Sequence, residues 1–204
     1  MNKVKVGVIG TGSMGEYHVD CYSKLEARCQ LVGVYDINEN KTAKVAQKYG
    51  IKSFDSALDL IKNVEAVSIV TPTSTHYEMA LKTFNLNRHI LLEKPMTINL
   101  DEAKSLIEIS EEKNIVLQIG HIERFNPVIK ALPEILKEEN ILAAQSRRMG
   151  PYDPRIQDTD VIQDLMIHDI DIINNFIPGS VDKITADGMT VKSRELIDYA
   201  SAGL

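Results

Sequence analysis

Two hydrophobic patterns alternate along the first 120 positions. Val4-Lys5-Val6-Gly7-Val8-Ile9 is a short β-branched run that ends at glycine, which reads as a buried strand. The positions from Ser13 to Leu25 predict a helix, Gln30 to Asp36 a second strand, and Lys41 to Tyr49 a second helix. Asp55 is placed to cap a short helix running through Ile61. Val64 to Val70 predicts a strand, Tyr77 to Leu86 a helix, and His89 to Glu93 a return to the sheet. Asn99 then caps a helix in which Glu102 can bond back, and Ile115 to Ile119 closes the series as a strand. Strands alternating with helices over this length predict a parallel sheet covered on both faces.

The alternation stops near Gly120. Beyond it the pattern predicts a helix from Pro127 to Glu138, a strand from Leu142 to Arg147 and a polar loop from Gly150 to Thr159. A long helix from Val161 to Phe176 and a strand from Lys183 to Val191 follow. The expected fold class is therefore α/β: a doubly wound parallel sheet over residues 1–120, then an α+β second domain over 121–204. Only 26 residues follow Pro178, room for two or three strands of about 5–6 residues, so the second domain is expected to be incomplete.

Composition narrows the function. The 29 Asp and Glu against 23 Lys and Arg give a net charge of −6, and the basic residues are scattered among carboxylates, as Lys137 beside Glu138 and Glu139. A nucleic-acid partner needs a basic face that this chain does not form. The two cysteines, Cys21 and Cys29, have no Cys-x-x-Cys spacing and no histidine cluster near them, so no metal site is expected and free packing thiols in a reducing compartment are. No apolar run approaches the roughly 20 residues of a membrane helix, and Met1-Asn2-Lys3 leads directly into a strand pattern without a signal peptide. A soluble, cytoplasmic protein is expected.

Gly10-Thr11-Gly12-Ser13-Met14-Gly15 fits G-x-G-x-x-G. Glycines also cluster in ordinary turns, but this run follows a strand, opens a helix, and precedes Asp36 at the end of the second strand, about 20 residues on. Gly10 permits the tight turn, Gly12 lets a pyrophosphate approach the backbone, and Gly15 brings helix and strand together. The N–H groups at the start of the helix, around Ser13 and Met14, suit an anion. Asp36 can accept bonds from a ribose diol and repels a 2′-phosphate. No arginine follows it in Ile37-Asn38-Glu39, so NAD is favoured over NADP, although Lys41 lies nearby. The first domain is thus read as a Rossmann NAD-binding domain.

Ligands of such sheets sit beyond the carboxyl ends of the strands. Those ends carry Thr71-Pro72-Thr73-Ser74-Thr75-His76, Glu93-Lys94-Pro95, and Gly120-His121-Ile122-Glu123-Arg124-Phe125-Asn126-Pro127. The glycine run, the Thr-Pro-x-x-x-His segment, the Glu-Lys-Pro tripeptide and a later Asp-x-x-x-His pair occur in the order of the glucose–fructose oxidoreductase/inositol dehydrogenase (Gfo/Idh/MocA) family. From Val4 to about Pro178 the chain closely resembles that family. The resemblance implies that Thr71, Pro72, Thr73, His76 and Glu93 line the cofactor. It also implies that Lys94 sits beside nicotinamide and substrate, in a Lys94–Pro95 turn that admits a cis bond.

Asp164 and His168 stand at i and i+4 on the long helix, with Asp171 three positions on. A histidine on an apolar helix is often structural, but a carboxylate one turn away can hold its ring and stabilise its charged form. The resemblance implies that His168 is the acid–base residue, with Asp164 and Lys94 completing the catalytic set. It further implies a secondary alcohol of a sugar as substrate and a homo-oligomeric assembly. The segments His121–Pro127 and Arg147-Arg148-Met149-Gly150-Pro151 are similar to those of members that oxidise the 3-hydroxyl of UDP-N-acetylglucosamine. Arg124, Asn126 and Asp171 are accordingly candidate substrate residues, since forked arginines suit a diphosphate, while Arg147 and Arg148 read equally as surface charges. Two other readings stay open: a non-catalytic NAD-binding module used for sensing or partner binding, and a reductase of the same fold acting on an imine or dihydropyridine-type substrate.

Overall fold

The computed structural model describes residues 3–151, 159–177, 179–193 and 195–204. Contacts divide the chain into two compact units, Met1–Gly120 and His121–Leu204.

In the first unit the elements run β1 (Val4–Ile9), α1 (Ser13–Lys24), β2 (Cys29–Tyr35), α2 (Glu39–Tyr49), β3 (Lys52–Ser53), α3 (Ala57–Lys62), β4 (Ala66–Ile69), α4 (His76–Asn85), β5 (His89–Leu92), α5 (Leu100–Glu112) and β6 (Leu117–Ile119). The strands form one sheet in the order β3-β2-β1-β4-β5-β6, and each neighbouring pair is parallel. The order reverses direction between β1 and β4, which opens the crevice where nucleotides bind in such sheets. Side-chain alternation along β1 sends Val8 and Ile9 to opposite faces. Val8 packs with Val19, Val34, Val45 and Ala46 under α1 and α2. Ile9 packs with Leu60, Ile61, Phe84 and Leu106 under α3, α4 and α5.

Three helices of the first unit start on side-chain caps. Asn38 accepts from Lys41 N, Ser56 from Asp59 N and Asn99 from Glu102 N. The α3 cap corrects the expectation for Asp55: Ser56 holds the extended backbone (φ −146°, ψ 150°) that a cap requires, one residue later. The two-residue strand β3 is too short to give a periodic pattern and is found only through its pairing of Lys52 with Gly33 and Ser53 with Val34.

The second unit contains a 3₁₀ turn (Ile122–Phe125), α6 (Pro127–Ile135), a π-helical turn (Ile162–Met166), α7 (Ile167–Phe176), and the antiparallel pair β7 (Thr185–Met189) and β8 (Tyr199–Gly203). Helix α6 contains Pro133, which removes one backbone donor from the helix, and it stops at Ile135, short of the expected Glu138. The strand expected over Leu142–Arg147 is absent: those residues form no regular element, and Leu142 is 90% exposed. A strand is stable only with a ladder partner, and none of the described residues supplies one. The expected helix from Val161 is not one continuous α-helix either, because its first turn is wound as a π-helix. Asp160 caps it, accepting from Ile162 N at 3.0 Å and Gln163 N at 2.9 Å. The expected polar loop, Gly150 to Thr159, lies mostly outside the described residues. Asp198 closes the β7–β8 turn by accepting the N–H groups of Val191, Lys192 and Ser193 at 2.7, 2.6 and 2.6 Å. Every buried apolar side chain among the described residues belongs to the first unit.

Candidate active site

Gly10 and Gly15 hold the tight turn and the close helix–strand approach expected of them. Gly10 has φ +98° and donates its N–H to Tyr35 O at 2.8 Å. A side chain there would be strained and would overlap the carbonyl of Val70. At Gly15 a Cβ would overlap the carbonyl oxygen of Gly10, so only glycine lets α1 start this close to β1. Around Gly12 there is open space, with nothing within 4 Å of where a Cβ would stand. Gly12 is also the N-cap of α1, and it offers no side chain to that helix's first N–H groups, whereas α2, α3 and α5 each have one. Exposed backbone donors at the positive end of a 12-residue helix fit a pyrophosphate. Ser13 and Met14 are exposed at this helix start.

Asp36 is tied to the same loop. Its Oδ2 accepts from Thr11 N at 2.6 Å and from the Thr11 hydroxyl at 3.1 Å, and its Oδ1 accepts from Asn38 N at 2.9 Å. A carboxylate has about four acceptor positions, so one remains on Oδ1 for a further donor. Thr11 was not singled out by sequence; it is the buried x of G-x-G, and only its distance to Asp36 reveals its part.

Among the loop residues at the strand ends, Thr71 is half-buried, Pro72 exposed and Thr73 buried. His76 is 1% exposed, with Nδ1 2.9 Å from Pro95 O and Nε2 2.9 Å from Thr71 O. It therefore joins the loop after β4 to the turn after β5. Lys94 opens that turn, half-buried, and the Lys94–Pro95 peptide is cis. Glu93 turns inward: its Oε1 lies 3.0 Å from His18 Nε2, and its Oε2 accepts Lys94 N at 3.2 Å. His18 is a second residue that sequence reasoning passed over. It falls on the stripe Gly15, His18, Val19, Tyr22, the i, i+3, i+4, i+7 face that α1 turns toward the sheet, and a polar residue on that stripe was the available signal.

In the second unit Asp164 lies in the π-helical turn and His168 in the first turn of α7, both half-buried. π-Turns inside helices are frequent at functional sites. Asp171 is held by Arg124 in a two-pronged bond, Nε to Oδ2 at 2.7 Å and Nη2 to Oδ1 at 2.5 Å. That bond is the main cause that places the Asp171 carboxyl below its usual range, with His121, Arg124 and His168 charges adding to it against the opposing effect of burial. Asn126 caps α6 by accepting Val128 N at 3.1 Å and donates to Glu123 at 3.2 Å. Arg148 forks onto Asp169 with both bonds at 3.2 Å and approaches Glu123 at 3.9 Å, while Arg147 points Nε at Met149 Sδ. Arg124 and Arg148 thus each place two of their five N–H donors on a carboxylate within the unit.

The glycine turn, Asp36 and the loops after β4 and β5 stand on one parallel sheet, and residues 4–121 match the model of the Gfo/Idh/MocA proteins, described as an oxidoreductase family with an NAD-binding Rossmann fold. The chain belongs to that family. UDP-N-acetylglucosamine 3-dehydrogenase of Acidithiobacillus ferrooxidans is 42% identical over 173 residues, 84% of this chain and 54% of the relative. Myo-inositol 2-dehydrogenase of Thermotoga maritima is 27% identical over 203 residues, 95% of this chain and 60% of the relative. A solved structure of UDP-N-acetylglucosamine 3-dehydrogenase GnnA from Acidithiobacillus ferrooxidans superposes with a TM-score of 0.87 at 37% identity, covering 99% of this chain and 65% of that one. The chain therefore spans between half and two thirds of the length of these relatives. Among the described residues, no helix is long and apolar enough to cross a membrane.

Proposed function

We propose that this protein is an NAD-dependent oxidoreductase that moves hydride between a secondary alcohol of a sugar or nucleotide sugar and nicotinamide. The observation that carries this reading is the cradle: open space at Gly12, a helix start without a side-chain cap, and Asp36 bonded to the same loop. Residues 1–120 form the cofactor domain in this reading, and 121–204 belong to the substrate domain. Bound NAD⁺ supplies the hydride acceptor. The backbone N–H groups after Gly12 hold the pyrophosphate, and Asp36 selects the unphosphorylated ribose. Lys94 donates a hydrogen bond to the substrate oxygen and stabilises negative charge developing there. His168 takes the hydroxyl proton, and Asp164 orients its ring. These three roles rest on the family resemblance together with the placement of Asp164 and His168 one turn apart.

The finer substrate is the 3-hydroxyl of UDP-N-acetylglucosamine, supported by the 42% identity to an enzyme named for that reaction. Purified protein is titrated with NADH by fluorescence, then given NAD⁺ and UDP-N-acetylglucosamine while reduced nicotinamide is followed by absorbance. Turnover that drops about 10²–10⁴-fold in His168→Ala, and also falls in Lys94→Ala, is the expected result. NADH binding without turnover on any sugar would replace this reading by a non-catalytic NAD-binding module.

A further inference from the structure

One buried pair has no catalytic role above; of its two residues only Glu93 is expected, by resemblance, along the cofactor. His18 on α1 and Glu93 at the end of β5 meet at 3.0 Å, with side chains 11% and 8% exposed. The second oxygen of Glu93 accepts the backbone N–H of Lys94. Room for the carboxylate comes from Gly120, where a Cβ would stand 2.6 Å from Oε1. One buried carboxylate thus touches the helix whose first turn is the phosphate cradle, the residue that opens the Lys94 turn, and the end of β6. The α1 contact with the sheet otherwise combines apolar packing of Val19 against Val8 and Val34 with one hydroxyl pair, Tyr22 Oη and Ser68 Oγ of β4 at 2.8 Å. Apolar packing is non-directional, whereas a hydrogen bond to a carboxylate fixes both distance and angle.

We propose that the His18–Glu93 pair is a positioning device that keeps the Lys94 turn aligned with the glycine cradle, so that both ends of one dinucleotide are gripped together. This rests on the reading that the cradle takes the pyrophosphate and the Lys94 turn faces the nicotinamide. His18 touches neither end; it acts through Glu93.

ADP-ribose carries the pyrophosphate half without nicotinamide, so it separates alignment from simple folding. Binding of ADP-ribose and NADH is compared for the unmodified protein, His18→Ala, His18→Gln and Gly120→Ala. In His18→Ala, ADP-ribose affinity stays within about twofold while NADH weakens about tenfold, and emission of bound NADH moves toward that of free NADH. His18→Gln restores NADH binding, because its amide N–H replaces the Nε2 donor. Gly120→Ala reproduces the loss with His18 intact, because the added methyl displaces the carboxylate; it also serves if His18→Ala does not fold. Equal weakening of both ligands, or no change in either, overturns the proposal. Failure of the unmodified protein to bind either ligand instead removes the NAD reading itself.

Discussion

Two glycines of one motif should fail in opposite ways. In Gly12→Ala the new methyl meets no protein atom within 4 Å, and the residue's φ −68° and ψ −174° are open to alanine. The loss of a glycine N-cap costs a few tenths to about 1 kcal/mol, and the reduced freedom of the unfolded chain returns about 0.4–1 kcal/mol. Stability should therefore stay within about 1 kcal/mol of the unmodified protein. The methyl stands instead where a pyrophosphate must approach, so NADH binding should weaken at least about tenfold, or about 1.4 kcal/mol. In Gly15→Ala the Cβ is driven into the carbonyl oxygen of Gly10, closer than the 3.0 Å that real Cβ atoms keep. Backbone has to move, and overpacking of this kind costs about 1–3 kcal/mol or more. For a unit of this size that lowers Tm by roughly 4–15 °C. Thermal unfolding by circular dichroism and NADH fluorescence titration measure the two effects separately. Undiminished NADH binding by Gly12→Ala would refute the close approach of phosphate to residue 12. An unchanged melting temperature for Gly15→Ala would refute the packing argument.

Other consequences follow from the same contacts. The Arg124–Asp171 pair lowers the folded-state pKa of Asp171, so its stabilisation is present above the ordinary aspartate value of about 3.9 and is lost as pH falls through the lower folded value. Arg124→Ala should therefore cost the second unit about 1 kcal/mol or less at neutral pH, because the guanidinium is 47% exposed, and acid titration should show that difference shrinking below about pH 4. If the cost persisted undiminished in acid, the pair would not be its source. Cys21 is exposed and Cys29 buried, so a thiol reagent should label one cysteine of the folded protein rapidly and the second only on unfolding. Rapid labelling of both would contradict the packing of Cys29 behind α1.

Local signals determined much of this protein. Chain periodicity located the five longer strands of the first unit, and the Asn99 cap was readable because cap and helix are neighbours in sequence. The tight turn at Gly10 and the close packing at Gly15 were equally legible, since both constraints arise within one strand–turn–helix unit. Tertiary structure decided whatever depends on a distant partner. Leu142–Arg147 is expected as a strand but finds no ladder among the described residues, so it is irregular. Arg124 and Asn126 are candidate substrate residues by resemblance, and their bonds to Asp171, Glu123 and the start of α6 could not be read from the sequence. The same holds for His18 and Glu93, 75 residues apart: nothing in the local pattern of either announces the other. Periodicity and turn chemistry act over a few residues and are written into short stretches of sequence. The pairing of buried polar groups is set by where the sheet brings strand ends and helices together, and that is known only once the chain has folded.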